Sequence, residues 1–221
     1  MTNMWVEVRK QDSDKFKKQH FRDLLDEWCN VVLRYAEYEP RDALYWYNER
    51  ATLSSFAVAA GRKDFHVLEE YTGEKKRTKK YNGKKKKYKG RFDLYITRDK
   101  YEYVFEAKQC WVSISPEENK TKETIEKSIK NAKESAEESY REVGKHNTYA
   151  MVFIVPHIAK EFASNKHSLI EGFVNIVNEI ARLDQKMEFA GLSYVFPENI
   201  EAQTTKLDSY PGVACLLFCL K

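Results

Sequence analysis

Three charged residues in two short apolar segments could do chemistry together. Asp93 lies thirteen positions before Glu106, and Lys108 lies two positions after Glu106. Strand-forming residues fill the interval, and only residues 98–100 interrupt them. The spacing predicts a β-hairpin that carries one carboxylate on each strand and a lysine beside the second. Carboxylates and an ammonium group placed in this way favour metal-dependent hydrolysis.

The register of this hairpin follows from its turn. If residues 99 and 100 form a two-residue turn, Asp93 lies opposite Glu106, about 5 Å away on one face of the sheet. Side chains alternate along a strand, so Lys108 shares that face while the intervening apolar residues face a core. Like charges so close are disfavoured unless a cation or proton lies between them. Asp-Lys is not a favoured turn sequence, which leaves a shift of one or two residues as the alternative.

Most of the positive charge of the chain is concentrated in one segment. The formal net charge is +4, but residues 73–91 contain eleven Lys or Arg residues and one acid. A basic block predicts contact with a polyanion, and the alternative is a solvated loop that only improves solubility. The candidate nucleic-acid ligands in it are Lys79, Lys80, Lys84, Lys85, Lys86, Lys87, Lys89 and Arg91.

Composition narrows the class of protein. The 221 residues suit one domain, 1–221, and the four cysteines are too scattered for a zinc site, so we expect buried reduced thiols. No apolar run approaches the roughly 20 residues of a membrane span. The first 18 residues lack the apolar core of a signal peptide. We therefore expect a cytoplasmic protein without a membrane partner.

Hydrophobic periodicity orders the elements around the hairpin. The pattern predicts, in order, a helix over 14–37, a helix over about 42–61, a strand near 65–71, a long basic loop, the hairpin over about 91–112, a helix over about 117–143 capped by Ser115, a strand over 149–155 that ends at Pro156, a helix over about 168–183, and strands near 189–196 and 213–220. Glu49 is anomalous because it lies on the apolar stripe of the second helix, and buried acids are rare unless they are paired or bind a metal. The alternative is that Glu49 lies at the edge of the stripe and reaches water or Arg50.

From residue 42 to residue 155 the order is helix, strand, long loop, strand, strand, helix, strand. With Asp93 and Glu106-Ala107-Lys108 on consecutive strands, the chain resembles the PD-(D/E)xK nuclease superfamily. The resemblance implies an α/β, restriction-endonuclease-like αβββαβ core with a mixed central sheet flanked by helices. This core would span about 41–156, with an N-terminal helical extension over 1–40 and a C-terminal helix and strand addition over 157–221. Phe92 stands where the family name has proline.

The resemblance also implies roles for individual residues. Asp93 and Glu106 would be catalytic metal ligands, together with the backbone carbonyl of Ala107 and with Glu49 from the first core helix. Lys108 would position the attacking water or stabilise the developing charge. The cofactor would be Mg²⁺, with Mn²⁺ as a substitute. The reaction would be hydrolysis of phosphodiester bonds in nucleic acid, and we expect an endonuclease that cuts DNA.

Other functions and simpler interpretations stay open on the sequence. Asp93 could be an acid at a strand edge, and Glu106 and Lys108 could be a salt-bridged pair on an exposed sheet face. The fold could serve a nucleic-acid-binding or scaffold protein without catalysis. The chain could also be a nuclease subunit of a larger defence or restriction assembly. It could also form a homodimer.

Overall fold

The computed structural model describes residues 4–8, 15–81, 84–115, 120–140, 144, 147–183, 188–198 and 208–220. The helices in these ranges are α1 (Lys15–Tyr38), α2 (Glu49–Arg62), α3 (Thr121–Ser139) and α4 (Lys166–Leu183), with a 3-10 helix at Lys160–Asn165. The strands are β1 (Met4–Val8), β2 (His66–Tyr81), β3 (Lys84–Arg98), β4 (Tyr101–Ser113), β5 (Thr148–Ala159), β6 (Glu188–Val195), β7 (Asp208–Ser209) and β8 (Val213–Cys219).

The strands form one mixed, open sheet with helices on both faces. Its order is β1-β6-β8-β5-β4-β3-β2, with β7 paired to β5 outside this path. β4 and β5 are parallel, and the other pairs are antiparallel. One core lies between the sheet and α1 and α2, and a second lies between the sheet and α3 and α4. The predicted α/β class is confirmed, and the elements from α2 to β5 follow one another in the predicted order.

The register of the β3–β4 hairpin is the predicted one from Arg98–Tyr101 to Leu94–Phe105. The predicted pair Asp93–Glu106 does not form, because the ladder ends at Leu94–Phe105. Arg98 pairs with Tyr101 and Leu94 pairs with Phe105, so residues 99 and 100 form the turn. Asp99 has a φ of 55°, in the left-handed region that Asp tolerates better than most residues. The turn sequence is therefore compatible with the tight connection even though it is not of the favoured type.

The prediction of a long basic loop is wrong. Residues 72–76 pair with 87–91 in an antiparallel ladder, and pairing resumes between Lys80–Tyr81 and Lys84–Lys85. The strand near 65–71 is thus the first half of a long strand. Charge suggested a loop here, but strand formers such as Tyr71 and Tyr88 and the mutual backbone pairing of the two arms favour a ribbon.

Three predicted helix or strand limits also need correction. α2 begins at Glu49 because Asn48 accepts a hydrogen bond from the N–H of Ala51, which caps the helix there. Ser115 does not cap α3, which begins at Thr121. The chain stays extended through β4, and the N–H of Ile114 donates a hydrogen bond to the carbonyl oxygen of His157. Residues 116–119 lie outside the described ranges.

Pro156 does not end β5, which continues to Ala159. The last pair between β5 and β8 is Ile154–Ala214. Pro156 lies beyond that pair, where its missing N–H leaves no gap in that ladder. Among the described helices, none is long and apolar enough to cross a membrane.

Gly212 precedes β8 and packs closely against the end of β6, so a substitution there tests this packing. A Cβ at Gly212 would lie 2.3 Å from the carbonyl oxygen of Val195 and 2.4 Å from the ring of Phe196. We expect Gly212→Ala to lower the free energy of unfolding by about 2 kcal/mol, measured by urea denaturation. Gly61→Ala in α2 is the control, because nothing lies within 4 Å of its Cβ position, and we expect it to be neutral or stabilising by up to about 1 kcal/mol. Equal stability of the two variants would contradict the packing.

Candidate active site at the open edge of β4

The candidate site lies where β3 separates from β4. The pairing of the two strands stops at Leu94–Phe105, whereas β4 continues beside β5 to Ser113. One edge of β4 is therefore open beyond Phe105, and its outward N–H groups lack a strand partner. The ladder between β3 and β2 also omits the pair Glu70–Asp93, and Glu70 has a φ of 49°. Asp93 thus lies at the fork between two strand pairings.

Two carboxylates satisfy the open edge. Asp93 Oδ2 accepts a hydrogen bond from the N–H of Ala107 at 2.8 Å, and Glu49 Oε2 accepts one from the N–H of Gln109 at 3.1 Å. Ala107 and Gln109 are alternate residues, so both N–H groups point to the same edge. Glu49 comes from the first turn of α2, where the helix dipole favours a negative charge.

Glu106 is the most buried carboxylate of the site, with 2% of its surface exposed. Its Oε1 accepts hydrogen bonds from Lys75 Nζ and from Ser139 Oγ, each at 2.7 Å. Burial and then the charge of Asp93 raise the pKa of Glu106 to about 7, while Lys75 and Ser139 act in the opposite direction. Glu106 thus lies in a dry position between β2 and α3, not on an exposed sheet face.

Lys108 extends to the same edge. Its Nζ donates a hydrogen bond to the carbonyl oxygen of Ala107 at 2.6 Å and lies 3.6 Å from Glu49 Oε1. Burial raises the pKa of Glu49, the charge of Lys108 opposes this, and the charge of Asp93 adds to it. The structure therefore brings together the residues that the sequence singled out: Asp93, Glu106, Lys108, Ala107 and Glu49.

Gln109 connects this edge to α2. Its side chain is on the opposite face from Glu106, as strand alternation predicts. Thr52 Oγ1 donates to Gln109 Oε1 at 2.6 Å, and Gln109 Nε2 donates to the carbonyl oxygen of Tyr45 at 3.1 Å. These bonds hold the start of α2, and with it Glu49, against β4.

Lys75 is a member of the cluster that sequence reasoning missed. It is 7% exposed, and its ammonium lies 4.9 Å from the centre of the Phe92 ring. Its aliphatic stem passes Gly90, where a Cβ would lie 2.8 Å from Lys75 Cδ. In the sequence Lys75 is one basic residue of a block, and only the glycine diagonally opposite it in the ribbon would have indicated a buried stem.

The basic ribbon, which we define as residues 72–81 and 84–91, is docked against α3. Tyr88 OH donates to Glu138 at 2.6 Å. At its base, Lys87 pairs with Glu74 and Arg91 pairs with Glu70. Lys89 is exposed. The side chains of the other candidate nucleic-acid ligands, Lys79, Lys80, Lys84, Lys85 and Lys86, lie outside the part of the chain whose side chains are described.

A survey of metal-site geometry and three comparisons with known proteins bear on the identity of the site. Within the described ranges, no group of three or more His, Cys, Asp or Glu side chains is arranged as a metal site. Comparison of the chain with protein families, with curated proteins and with solved structures finds no match. The assignment of function therefore depends on the geometry and chemistry of the cluster.

The Lys75–Glu106 pair can be tested by a double-mutant cycle on stability. Breaking a buried pair leaves one charge without a partner, so we expect Lys75→Met or Glu106→Gln alone to cost about 3 kcal/mol at pH 8. We expect the double variant to cost less than the sum, with a coupling of about 1 to 3 kcal/mol in urea denaturation. The control cycle uses the exposed pair Lys87–Glu74, whose coupling should stay below about 1 kcal/mol. A coupling no larger than this control would mean that the buried ion pair does not form.

Proposed function

We propose that the chain is a metal-dependent nuclease that hydrolyses phosphodiester bonds, with DNA as the expected substrate and an endonuclease as the expected type. The observation that carries the proposal is the convergence of Asp93, Glu49, Glu106 and Lys108 on the open edge of β4. The mixed sheet and the helix–strand order from α2 to β5 support a restriction-endonuclease-like core.

The residues present fit a hard divalent cation. Mg²⁺ prefers carboxylate and carbonyl oxygens together with water, and Asp93, Glu106 and the carbonyl of Ala107 supply such oxygens. The charge of Asp93 raises the pKa of Glu49 and of Glu106, which means that these carboxylates repel one another. A cation held by Asp93 and Glu106 would relieve this repulsion. Mn²⁺ accepts the same oxygen ligands.

Each residue has a role that its contacts support. A bound Mg²⁺ would neutralise charge on the phosphate and activate the attacking water. Lys108 is about one-third exposed, so its ammonium can donate to a phosphate oxygen and stabilise the charge that develops there. Glu49 holds Gln109 through Oε2 and pairs with Lys108 through Oε1, so Oε1 could orient a water once Lys108 turns to a phosphate. Burial raises the pKa of Glu49 and makes it a better proton acceptor.

The basic ribbon supports a polyanionic substrate. Lys76 pairs directly with Lys87 across it. Like charges directly opposite each other destabilise a strand pair. Glu74 compensates Lys87 in the protein alone, and phosphates along the ribbon would compensate the remaining positive charge. Because the ribbon continues directly into Asp93, a strand bound to it would lie next to the cluster.

The contacts of Glu106 favour one alternative function. Lys75 already neutralises this carboxylate, as expected of a protein that binds nucleic acid through the same fold without cutting it. A subunit of a larger defence or restriction assembly would keep the catalytic cluster and obtain recognition from other chains. These alternatives differ in whether the purified chain cuts nucleic acid by itself.

Cleavage by purified protein tests the proposal. Plasmid, linear DNA and RNA are incubated with Mg²⁺, Mn²⁺ or EDTA, and we expect metal-dependent cutting of plasmid DNA. Asp93→Asn removes a charged ligand and Lys108→Ala removes the ammonium, so we expect each to lower the cleavage rate by about 100-fold or more. The control is Asp99→Asn, which makes the same change in the exposed turn after the same strand and should leave the rate unchanged. Undiminished cutting by either site variant would overturn the assignment.

Salt dependence of binding tests the role of the ribbon. Lys87→Gln with Lys89→Gln removes two charges from its described part, so we expect weaker DNA binding and a salt slope reduced by about 1 to 2. Fluorescence anisotropy over a range of salt concentrations measures this slope. The matched control is Lys127→Gln with Lys130→Gln on the exposed side of α3. An unchanged slope for the ribbon variant would show that these lysines do not contact DNA.

A further inference from the structure

The protein's own donors occupy the oxygens that would bind a cation. Lys75 and Ser139 donate to Glu106 Oε1, and Lys108 donates to the carbonyl oxygen of Ala107. The N–H of Ala107 donates to Asp93. The cluster therefore balances three carboxylates against two ammonium groups from its own chain.

The two lysines differ in how firmly they are held. The Lys108 side chain is about one-third exposed, so it is held by fewer packing contacts than the buried Lys75 side chain. Lys75 is buried between Phe92 and Gly90, and its ammonium is 2.7 Å from Glu106. A buried lysine is rare unless it is paired, and burying it has a large desolvation cost. Its position therefore has to be explained by the carboxylate that it contacts.

We infer, on the premise that Asp93 and Glu106 hold a divalent cation as proposed above, that Lys75 is a built-in counter-ion that competes with that cation for Glu106. An ammonium on Glu106 Oε1 repels a divalent ion bound nearby and withholds an oxygen that the ion could use. Lys75 belongs to the basic ribbon, so the same element that would hold the polyanion also sets the affinity of the site for its metal.

Gly90 makes this geometry possible. A Cβ at position 90 would lie 2.8 Å from Lys75 Cδ and 3.1 Å from Cγ, closer than side-chain carbons normally approach. Gly90→Ala therefore forces the lysine stem to move while it leaves both charges in the chain. This variant separates the position of the ammonium from its presence.

Divalent-ion affinity tests the inference without an activity assay. Mn²⁺ binding to metal-free protein is measured by calorimetry at one fixed pH for all variants. We expect Lys75→Met to bind Mn²⁺ at least about tenfold more tightly than the unmodified chain, because the competing charge is gone. We expect Gly90→Ala to bind Mn²⁺ more tightly as well. Tyr88→Phe is the control: it removes the bond to Glu138 and leaves Lys75 in place, so its affinity should not change.

The outcomes separate this inference from the proposed function. Asp93→Asn should abolish Mn²⁺ binding if the cluster is the metal site. If binding depends on Asp93 but Lys75→Met and Gly90→Ala bind equally or more weakly, the counter-ion role is overturned and the metal site stands. If no variant shows binding that depends on Asp93, both are overturned. Urea denaturation shows which variants fold. If Lys75→Met does not fold, the Mn²⁺ affinity of Gly90→Ala decides whether Lys75 competes with the cation.

Discussion

The candidate site depends on unpaired backbone N–H groups at the edge of β4. β4 is held on one side by β5 along much of its length, but β3 accompanies it only as far as Phe105. A polar backbone group that lacks a partner in a packed region is costly, so the edge needs acceptors. Asp93 and Glu49 supply them, which draws two carboxylates to within bonding distance of the same strand.

Electrostatics then determines the rest of the cluster. Asp93 lies close enough to Glu106 and Glu49 to raise the pKa of both, and burial acts in the same direction. Such an arrangement persists only if cations or protons compensate it. In the protein alone the cations are Lys75 and Lys108. Under the proposed function a metal ion would also compensate the carboxylates. The repulsion that the ion relieves would then contribute to its binding affinity.

Strand alternation and one short turn made much of the site predictable. Residues 99 and 100 fix the register of β3 and β4, and this register places Asp93 near Glu106. Apolar periodicity also located the helices and the central strands, but α2 begins about seven residues later than predicted because Asn48 caps it. The position of Glu49 was predictable only in part, because its role comes from a backbone bond to β4 and not from the apolar face of a helix.

The basic ribbon and its buried lysine were not predictable for a physical reason. Net charge indicates exposure, so a run of lysines suggests a solvated loop, whereas pairing between its two arms makes it a strand pair. Burial of Lys75 depends on a glycine diagonally opposite and on a carboxylate 31 positions away in the sequence. β1 and β7 were missed because they have only five and two residues, too few to establish a strand periodicity.

The most direct test of a metal centre at the open edge of β4 is a crystal structure of the protein soaked with Mn²⁺, with anomalous scattering used to locate the ion. We expect one strong anomalous peak in contact with carboxylate oxygens of Asp93 and Glu106, and the Lys75 ammonium displaced from Glu106. Full Mn²⁺ occupancy elsewhere, or no peak while Lys75 still contacts Glu106, would contradict a metal centre at this edge.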